Sequence, residues 1–499
     1  MILDDLLHRH AARQPAKTAV RTAERSIAYG ELDRSVDCLA GLLLARGMHR
    51  GDRVAVHWSN SIETVQLLLA VFRAGLVAVP INARLKPLEI AYIFEHSEAR
   101  LCFSEPALAP LAEQARRGGR PEVVSELPAL RTLSAPLPEI DPGKPALILY
   151  TSGTTARPKG VTHTHYTLFE SARLWARGLV GPDDTVLSIT QMAHASGLNA
   201  VLLPGLQQGA TVTLLRTFDA GEALDMIERF RCTYTLALPA MLQFLVEEQA
   251  RRPRDVSSLR KVLAGGDTVP AALQRRFREL FDGDVCEGYA MTESLPLTMN
   301  PGGDNRTGSI GPAAPGVSIR LLGPHGRDAG PGEAGEIVVR SPANCASYWN
   351  DPAATAKLFE GGWLHTGDLA TRDGDGYFWF KGRLKQIIIR GGSNISPQEV
   401  EEALYQHPAV LEAGVVGAPD PAYGEVPAAF VALRAGHSVT EEQLRAHARG
   451  LLADLKVPER IFFIEALPKG LTGKVDRRYL RDLLIAQADP IEKHAVTGV

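Results

Sequence analysis

Short apolar runs alternate with amphipathic segments along most of the chain, and this pattern is typical of an α/β fold. Residues 53–57 predict a strand and residues 77–80 predict the next strand. Between them, Ser61–Ala74 predicts a helix with Asn60 or Ser61 as its N-cap. The first hundred residues are therefore expected to alternate strands with helices.

The alternation becomes more regular beyond residue 145. Strands are predicted at Ala146–Tyr150, Thr185–Ile189, Thr211–Leu215, Thr233–Ala237, Lys261–Ala264 and Val285–Gly288. Asp219 predicts the N-cap of a helix that reaches about Phe230. Residues 104–145, rich in Pro, Ala and Glu, predict a peripheral connection. Repeated strand–helix–strand units imply a parallel sheet covered on both faces, with ligands beyond the carboxyl ends of its strands.

The pattern changes after about Thr307, where Gly-rich turns separate short strands. Strands are predicted at Ser318–Leu322, Glu336–Val339 and Tyr377–Phe380, as in a small antiparallel unit. From 386 to 485 the chain has its own strand and helix pattern. The predicted fold class is α/β, with a large domain of doubly wound sheets plus a small antiparallel β unit over 1–384 and a small α+β domain over 386–499. The boundary is predicted at Lys385.

Composition excludes several classes of protein. The 499 residues are 45% hydrophobic and 22% charged, which excludes a disordered chain. A net charge of −3 gives no reason to expect binding to nucleic acid or to an anionic membrane. The apolar stretch Val65–Pro80 is interrupted by Gln66 and Arg73, and the N-terminus has no secretory pattern, so no membrane-spanning segment is expected. Five scattered cysteines predict reduced thiols and a cytoplasmic location.

The most informative segment is YTSGTTARPKG, Tyr150–Gly160, which follows a predicted strand. Short hydroxyl side chains surround Gly153, and Lys159 closes the segment. The hydroxyl residues are Thr151, Ser152, Thr154 and Thr155. Backbone N–H groups and hydroxyls can wrap phosphate oxygens, and a lysine can offset their charge. The segment lacks the ending of a Walker A loop, which disfavours a P-loop kinase or ATPase. Its alternative interpretation is a Ser/Thr/Gly-rich surface turn.

This segment resembles the phosphate loop of the AMP-forming adenylating superfamily, which includes acyl- and aryl-CoA ligases, peptide-synthetase adenylation domains and luciferases. Ala156 departs from the glycine that the family usually has there. The resemblance extends over nearly the whole chain. It implies that an organic acid is activated by ATP and Mg²⁺ as an acyl-adenylate with release of pyrophosphate, and is then transferred to a thiol.

The segment GYAMTES, residues 288–294, resembles the adenine and magnesium motif of the family. The resemblance implies that Tyr289 stacks on the purine, that Thr292 bonds the α-phosphate, and that Glu293 holds Mg²⁺. Taken alone, the same residues would fit a helix start with Thr292 as N-cap.

Four further positions match the family. Asp368, in a His-Thr-Gly-Asp segment, corresponds to the carboxylate that binds both ribose hydroxyls, and Arg383 to an arginine on the same side. Lys474, in a Gly-Leu-Thr-Gly-Lys segment, corresponds to the catalytic lysine of the small domain. Lys385 corresponds to the hinge about which that domain turns. Without the family, these residues would fit a loop turn and exposed charges.

The resemblance also assigns residues to sets. The catalytic set is Lys474, Thr151, Glu293 and His194, with Glu293 as metal ligand. The nucleotide set is Thr151, Ser152, Gly153, Thr154, Thr155, Lys159, Gly265, Gly266, Gly288, Tyr289, Ala290, Thr292, Asp368 and Arg383. The acyl-pocket set is His194, Ser196, Ala264, Gly265, Gly288, Ala290 and Leu295. The coenzyme A set is Gly391, Gly392, Arg84 and Tyr423.

These observations predict an ATP-dependent carboxylate–CoA ligase. The acyl-pocket set contains no arginine or lysine, which disfavours a dicarboxylate and favours a fatty, aryl or arylalkanoic acid. No carrier segment follows Lys474, which favours free coenzyme A as the acceptor. The alternatives are an enzyme that loads a carrier protein, a luciferase-like oxygenase and a non-catalytic nucleotide-binding scaffold. A homodimer is an assembly that the sequence leaves open.

Overall fold

The structure is a computed structural model that describes residues 3–127, 137–151, 157–267, 269–300, 305–470 and 474–488. The first 151 residues alternate helices and strands. The elements are α1 (Leu3–Arg13), β1 (Thr18–Arg21), β2 (Ser26–Ala28), α2 (Tyr29–Ala45), β3 (Arg53–His57), α3 (Ile62–Arg73), β4 (Val77–Pro80), α4 (Pro87–Ser97), β5 (Leu101–Ser104), α5 (Ala109–Ala115), β6 (Glu122–Val124) and β7 (Pro145–Thr151).

The next segment, up to residue 300, continues the alternation. Its elements are β8 (Lys159–Thr164), α6 (His165–Ala176), β9 (Thr185–Ser188), α7 (Ala195–Gly197), a π-helix (Leu198–Leu202), α8 (Leu203–Gln208), β10 (Thr211–Leu214), α9 (Ala220–Phe230), β11 (Tyr234–Ala237), α10 (Pro239–Arg251), β12 (Lys261–Ala264), α11 (Ala271–Phe281), β13 (Val285–Met291) and β14 (Ser294–Met299). The predicted caps are confirmed: the side chain of Ser61 accepts from Thr64 N, and that of Asp219 from Glu222 N.

Short strands predominate from residue 305 onward. The elements up to Arg383 are β15 (Ser318–Leu322), β16 (Gly335–Arg340), β17 (Ser347–Tyr348), α12 (Pro352–Leu358), β18 (Leu364–Arg372) and β19 (Phe378–Arg383). The elements beyond it are β20 (Ile388–Arg390), β21 (Ser393–Ile395), α13 (Pro397–Tyr405), β22 (Val410–Asp420), β23 (Gly424–Leu433), α14 (Glu441–Arg449), β24 (Arg460–Phe463) and α15 (Arg477–Ala488). Single 3-10 turns cover Pro324–Gly326, Glu360–Gly362 and Asp454–Lys456.

These strands form four sheets. Sheet A has the order β14-β13-β12-β11-β9-β10-β1-β2 and is parallel except for its two outer strands. Sheet B has the order β17-β8-β7-β4-β3-β5-β6 and is parallel from β7 to β6, with β8 antiparallel to both of its neighbours. Sheet C is antiparallel with the order β15-β16-β18-β19. Sheet D has the order β21-β20-β23-β22, with β24 paired to β23. The predicted α/β class with a small antiparallel unit is therefore confirmed.

Apolar clusters cover both faces of the large sheets, as the doubly wound prediction requires. Helices α2, α3 and α6 pack in a cluster between sheets A and B. Helices α9, α10 and α11 cover the other face of sheet A, and α4 and α5 the other face of sheet B. Since β5 pairs with β6, residues 104–145 contain a helix and an edge strand besides a connection.

The predicted boundary at Lys385 falls in a turn between two sheets. Strand β19 belongs to sheet C and strand β20 to sheet D. The turn between them is closed by a hydrogen bond from Gln386 N to Arg383 O (2.8 Å), and Leu384 N donates to Gly367 O (2.9 Å). Beyond this turn, α13 and α14 cover one face of sheet D and α15 the other. The hinge at Lys385 stays a prediction.

Three buried histidines predict loss of stability in acid. Burial lowers the pKa of His57, His163 and His165 from 6.5 to about 4, so the unfolded chain binds more protons than the folded one between these values. Burial raises the pKa of Glu287 from 4.5 to about 7, which acts in the opposite direction over nearly the same window. Burial lowers the pKa of His194 to about 4 as well. Among the groups shifted this far the histidines outnumber Glu287, so the unfolding temperature is expected to fall as pH decreases from 6.5 to 4. A scan in which it rises would contradict this balance.

Candidate active site

A tight hairpin turn carries the predicted metal ligand. Thr292 and Glu293 join β13 to β14, and Met291 pairs with Ser294 across the turn. The alternative of a helix start at Thr292 is wrong, because the chain reverses in two residues as an antiparallel hairpin does. Cys345 N donates to Glu293 O (2.7 Å), which fixes the turn against the segment before β17.

His163, on β8, forms a hydrogen bond to the same turn. Its Nε2 lies 2.8 Å from Thr292 O, and because a carbonyl oxygen only accepts, this nitrogen carries the proton. Burial lowers the pKa of His163 to about 4, so the ring is neutral at neutral pH. Sequence reasoning missed this residue, whose one local signal is its place among the β-branched residues of 161–164.

Tyr348 connects Glu293 with the lysine of the phosphate-loop segment. Its hydroxyl donates to Glu293 Oε1 (2.7 Å), and Lys159 Nζ lies 4.5 Å from the centre of its ring. Lys159 also pairs with Thr151 across the β7–β8 hairpin. Tyr348 thus brings the two predicted phosphate-side charges together, and sequence reasoning missed it.

The predicted ribose residues form a second group. Asp368 on β18 and Arg383 on β19 are register partners, and Arg383 Nε lies 3.3 Å from Asp368 Oδ1. The Tyr289 hydroxyl donates to Asp368 Oδ2 (2.6 Å), and its ring lies 6.1 Å from that of Phe380. Burial raises the pKa of the Asp368 carboxyl, while Arg383 and Tyr289 act to lower it. Asp368 is therefore a buried carboxylate held by two donors.

Lys474 lies close enough to Glu293 and to the Asp368–Arg383 pair for its pKa to depend on their charges. Burial, followed by the nearby charge of Arg383, lowers the pKa of Lys474, whereas Asp267, Asp368 and Glu293 act to raise it. Its Cε lies 3.7 Å from the position that a Cβ would take on Gly266. The lysine of the C-terminal segment is thus brought to the predicted nucleotide residues of the large sheets.

Two glycines, Gly265 just after β12 and Gly288 within β13, bring the backbones of these neighbouring strands close together. A Cβ on Gly265 would lie 2.7 Å from Gly288 O, so no side chain larger than hydrogen fits there without a backbone shift. Gly266 follows with φ +88°. The Ala264 side chain packs with α9–α11 on one face of sheet A, whereas Leu295 and Ala290 pack with the cluster on the other side.

His194 is held by an asparagine that sequence reasoning missed. Asn82 Nδ2 lies 2.8 Å from His194 Nε2, and because an amide nitrogen only donates, this ring nitrogen accepts. Burial, together with the charges of Lys474 and Arg84, lowers the pKa of His194 to about 4. The half-buried Ser196 follows in α7. The predicted pocket histidine is therefore neutral at neutral pH and lies near Lys474.

The predicted coenzyme A residues fall into two places. Gly391 N donates to Tyr423 O (2.8 Å), and Arg390 Cζ lies 4.9 Å from the centre of the Tyr423 ring, so the Gly391–Gly392 turn and Tyr423 form one patch. Arg84 is exposed on the segment after β4, near His194. The hydrogen bonds and ion pairs found within the described ranges include none between Arg84 and that patch.

A cleft of about 820 Å³ separates α13 and the Lys474 segment from the loops after β11 and β12. Asp267 faces the ion pair that Arg477 makes with Glu401, whose two oxygens each lie 2.7 Å from Arg477 Nη2. Ala271 N, at the start of α11, donates to Glu402 Oε1 (3.3 Å). This contact joins the two predicted domains in the orientation that presents Lys474.

Comparison with known proteins agrees with this geometry. Residues 7–349 match the model of the AMP-binding enzyme, and residues 399–474 match that of the AMP-binding enzyme C-terminal domain. The chain belongs to the AMP-binding enzymes. This AMP-binding enzyme is 38% identical to the feruloyl-CoA synthase of Amycolatopsis sp over 94% of its own length and 98% of that protein. It is 36% identical to the sulfoacetate–CoA ligase of Cupriavidus necator, over 94% and 95% of the two chains.

A solved structure shows the same fold. The anthranilate CoA ligase AuaEII in complex with anthranoyl-AMP superposes with a TM-score of 0.92 and 30% identity, over 98% of both chains. The family resemblance, the fold class and the acid–thiol ligase class predicted from the sequence are therefore confirmed. No helix within the described part of this AMP-binding enzyme is both long and apolar enough to cross a bilayer.

Five residues of the predicted phosphate loop, Ser152, Gly153, Thr154, Thr155 and Ala156, lie outside the described residues. The residues on either side of them are described, and they place Thr151 at the end of β7 and Lys159 at the start of β8. The loop segment therefore belongs to a β-hairpin, in contrast to the strand–loop–helix unit of a Walker A site.

Proposed function

We propose that this AMP-binding enzyme is an ATP-dependent carboxylate–CoA ligase that works through an enzyme-bound acyl-adenylate. The observation that carries the proposal is the position of Lys474, whose charge is coupled to Asp368, Arg383, Glu293 and Asp267 although these residues come from distant segments. Such a group of charges suits a reaction that develops negative charge on phosphate and carboxylate oxygens.

In the first step, a carboxylate oxygen of the acid attacks the α-phosphorus of ATP. The bond from that phosphorus to the bridging oxygen breaks, and pyrophosphate leaves. We assign to Lys474 the stabilisation of charge on the reacting oxygens, to Thr292 contact with the α-phosphate, and to Asp368 and Arg383 the ribose. Fixing these groups before reaction supplies much of the rate, because little reorganisation is then needed.

Mg²⁺ fits this site through one protein carboxylate. Within the described ranges, no group of three or more His, Cys, Asp or Glu could hold a metal ion without help from a ligand. Glu293 is a hard oxygen donor beside the predicted phosphate residues, as a cation bound mainly by ATP oxygens requires. Bound Mg²⁺ would neutralise phosphate charge, and Tyr348 would orient the carboxylate that holds it.

In the second step, the thiol sulfur of coenzyme A attacks the acyl carbon, its proton goes to solvent, and the bond to AMP breaks. We propose that the small domain turns about Lys385 between the steps, which removes Lys474 and brings in the Gly391–Gly392 turn. The Gly391–Gly392 turn and Tyr423 form one patch of the small domain, so a single rotation of that domain would move both together.

The acid is proposed to be a fatty, aryl or arylalkanoic acid. Leu295 and Ala290 pack in an apolar cluster, and His194 stays neutral. Within the described residues, the cations that act on His194 are Lys474 and Arg84, and Arg84 is exposed and is assigned to coenzyme A. We place the enzyme in the cytoplasm, where reduced thiols such as its five free cysteines persist. A homodimer stays a prediction, which sedimentation analysis would test.

A panel of carboxylic acids tests this function. AMP release is expected for at least one fatty or aryl acid, and only when coenzyme A is added. Release that requires a carrier protein with a free thiol instead of coenzyme A would favour the carrier-loading alternative. Absence of AMP release with every acid, together with intact ATP binding, would favour the non-catalytic scaffold.

The contact between Glu402 and Ala271 provides a test of the hinge. Glu402→Ala removes a carboxylate that bonds a helix N-terminus across the two domains, and a hydrogen bond to a charged group contributes about 1.5–3 kcal/mol. Adenylate formation is expected to slow by about tenfold, while thioester formation from supplied acyl-adenylate is unchanged or faster. The control is Glu399→Ala on the same helix, where Glu399 pairs with Lys456. Equal loss in both half-reactions would contradict the swinging domain.

A further inference from the structure

Asn82 lies shortly after β4 and connects two segments through the two ends of its side-chain amide. Its Oδ1 accepts from Arg84 N (2.9 Å) and its main-chain oxygen accepts from Leu85 N (3.0 Å), so the residue closes a tight turn. Its Nδ2 lies 2.8 Å from His194 Nε2. The turn therefore uses the oxygen of the amide, and the histidine faces its nitrogen.

The turn also fixes which tautomer of the histidine is present. A backbone N–H only donates, so the amide atom that faces Arg84 N is the oxygen and the atom that faces the ring is the nitrogen. His194 Nε2 accepts, and in the neutral ring the proton is then on Nδ1. Within the described residues, Asn82 is the one hydrogen-bond partner found for this half-buried ring, so its Nδ1–H is left to a ligand.

The loop that carries His194 is held without Asn82. Asn60, a buried residue at the start of α3, accepts from Met192 N (2.9 Å) through Oδ1 and donates to Thr190 O (2.9 Å) through Nδ2. These bonds fix the chain just before the histidine. The contact with Asn82 therefore acts on the ring of His194 and not on the path of the loop.

The charges around the ring favour a ligand with a negative oxygen. Among the described residues, the charged groups that act on His194 are Lys474 of the small domain and Arg84 of the turn, and both are cations. Lys474 is also the residue assigned above to the reacting oxygens. We infer that Asn82 is a positioning residue that keeps His194 in its Nδ1–H form, so that the ring donates a hydrogen bond to the carboxylate of the acid. The inference rests on the proposed function and involves no further bond change.

Asn82→Asp reverses the tautomer and keeps the turn. One carboxylate oxygen still accepts from Arg84 N, but the other can only accept from the ring, so the proton of the neutral ring moves to Nε2 and Nδ1 becomes an acceptor. A carboxylate at this distance also raises the pKa of His194 above its wild-type value of about 4. Below the raised pKa both ring nitrogens carry protons and Nδ1 still donates, whereas above it Nδ1 repels the carboxylate of the acid.

The pH profile of adenylation gives the expected result. In exchange of labelled pyrophosphate into ATP, kcat/KM of Asn82→Asp for the acid is expected to fall about tenfold as pH rises through an ionisation that the wild-type profile lacks, as loss of one hydrogen bond to a charged group predicts. KM for ATP should change less than twofold. The control is Gln443→Glu, the same amide-to-carboxylate change at the exposed start of α14, which should leave the profile unchanged.

A double-mutant cycle with His194→Phe separates the effect of the histidine from that of the added charge. If Asn82 acts through the ring, Asn82→Asp adds no pH-dependent loss to the residual exchange of His194→Phe. The same loss in that background would overturn the inference, because the new carboxylate would then repel the acid directly. An unchanged profile in Asn82→Asp enzyme with the wild-type unfolding temperature would overturn it as well.

The tautomer itself is measurable without a substrate. In ¹⁵N spectra of histidine-labelled wild-type enzyme, the signals of His194, assigned as those lost in His194→Phe, are expected to show a protonated Nδ1 and an unprotonated Nε2 at neutral pH. A protonated Nε2 would overturn the inference whether or not any acid reacts. Wild-type enzyme that has the expected tautomer but exchanges no pyrophosphate with any acid would instead count against the proposed function.

Discussion

Lys474→Ala is expected to slow acyl-adenylate formation by about 10²–10³-fold, which is the usual cost of losing one donor aimed at developing charge. Lys474 is the cation that the small domain adds to the site, and its charge is coupled to Asp368, Glu293 and Asp267. Thioester formation from supplied acyl-adenylate is expected to stay within a fewfold of wild type, because the proposed second orientation removes Lys474. The measurement is single-turnover kinetics of each half-reaction.

A matched control exists five residues away. Lys469 belongs to the same segment but pairs with Glu412 of the small domain (2.5 Å), so Lys469→Ala should leave adenylation nearly unchanged. If Lys469→Ala and Lys474→Ala slow adenylation equally, the loss comes from a disturbed local structure of the segment and not from removal of the Lys474 charge. If Lys474→Ala slows both half-reactions equally, the assignment of Lys474 to the first step is wrong.

Asp368→Ala is expected to weaken ATP binding by more than tenfold. The variant removes a buried carboxylate that would accept from two ribose hydroxyls, and each such charged hydrogen bond contributes about 1.5–3 kcal/mol. It also leaves Arg383 without its partner. Titration calorimetry with ATP and AMP measures the change, and both ligands should weaken together because they share the ribose.

Tyr289→Phe tests how much of the ATP affinity depends on the hydrogen bond that Asp368 accepts from Tyr289. This variant removes the hydroxyl that donates to Asp368 but keeps the ring that is proposed to stack on the purine. ATP affinity is expected to fall by less than tenfold, the amount that one hydrogen bond accounts for. If Asp368→Ala binds ATP as tightly as wild type, Asp368 does not belong to the nucleotide site.

The alternation of apolar runs located many strands of the large domain, but it did not predict β1, β2, β5, β6, β8, β14, β17 or β18. Lys261–Ala264 and Ser318–Leu322 have the predicted bounds, because each is a short run bounded by turn residues. Four strands, β7, β13, β16 and β19, are longer than predicted. Strand β13 reaches Met291 because β14 pairs with its end, and β19 reaches Arg383 because β18 continues beside it. Strand length in these cases depends on the partner strand, which the local pattern does not contain.

The site residues that sequence reasoning missed act through long-range contacts. Tyr348 is 55 residues from Glu293, Asn82 is 112 residues from His194, and His163 is 129 residues from Thr292. Each positions a residue that a motif had identified. A motif identifies a residue that contacts the ligand. The residues that orient that residue come near it only through the packing of the sheets.

The central claim is that this enzyme activates an organic acid as its adenylate, and exchange of labelled pyrophosphate into ATP tests it most directly. With Mg²⁺ and a panel of fatty, aryl and arylalkanoic acids, but without coenzyme A, wild-type enzyme should incorporate label with at least one acid, and Lys474→Ala should lose nearly all of that exchange. Absence of acid-dependent exchange in folded wild-type enzyme that still binds ATP would contradict the account.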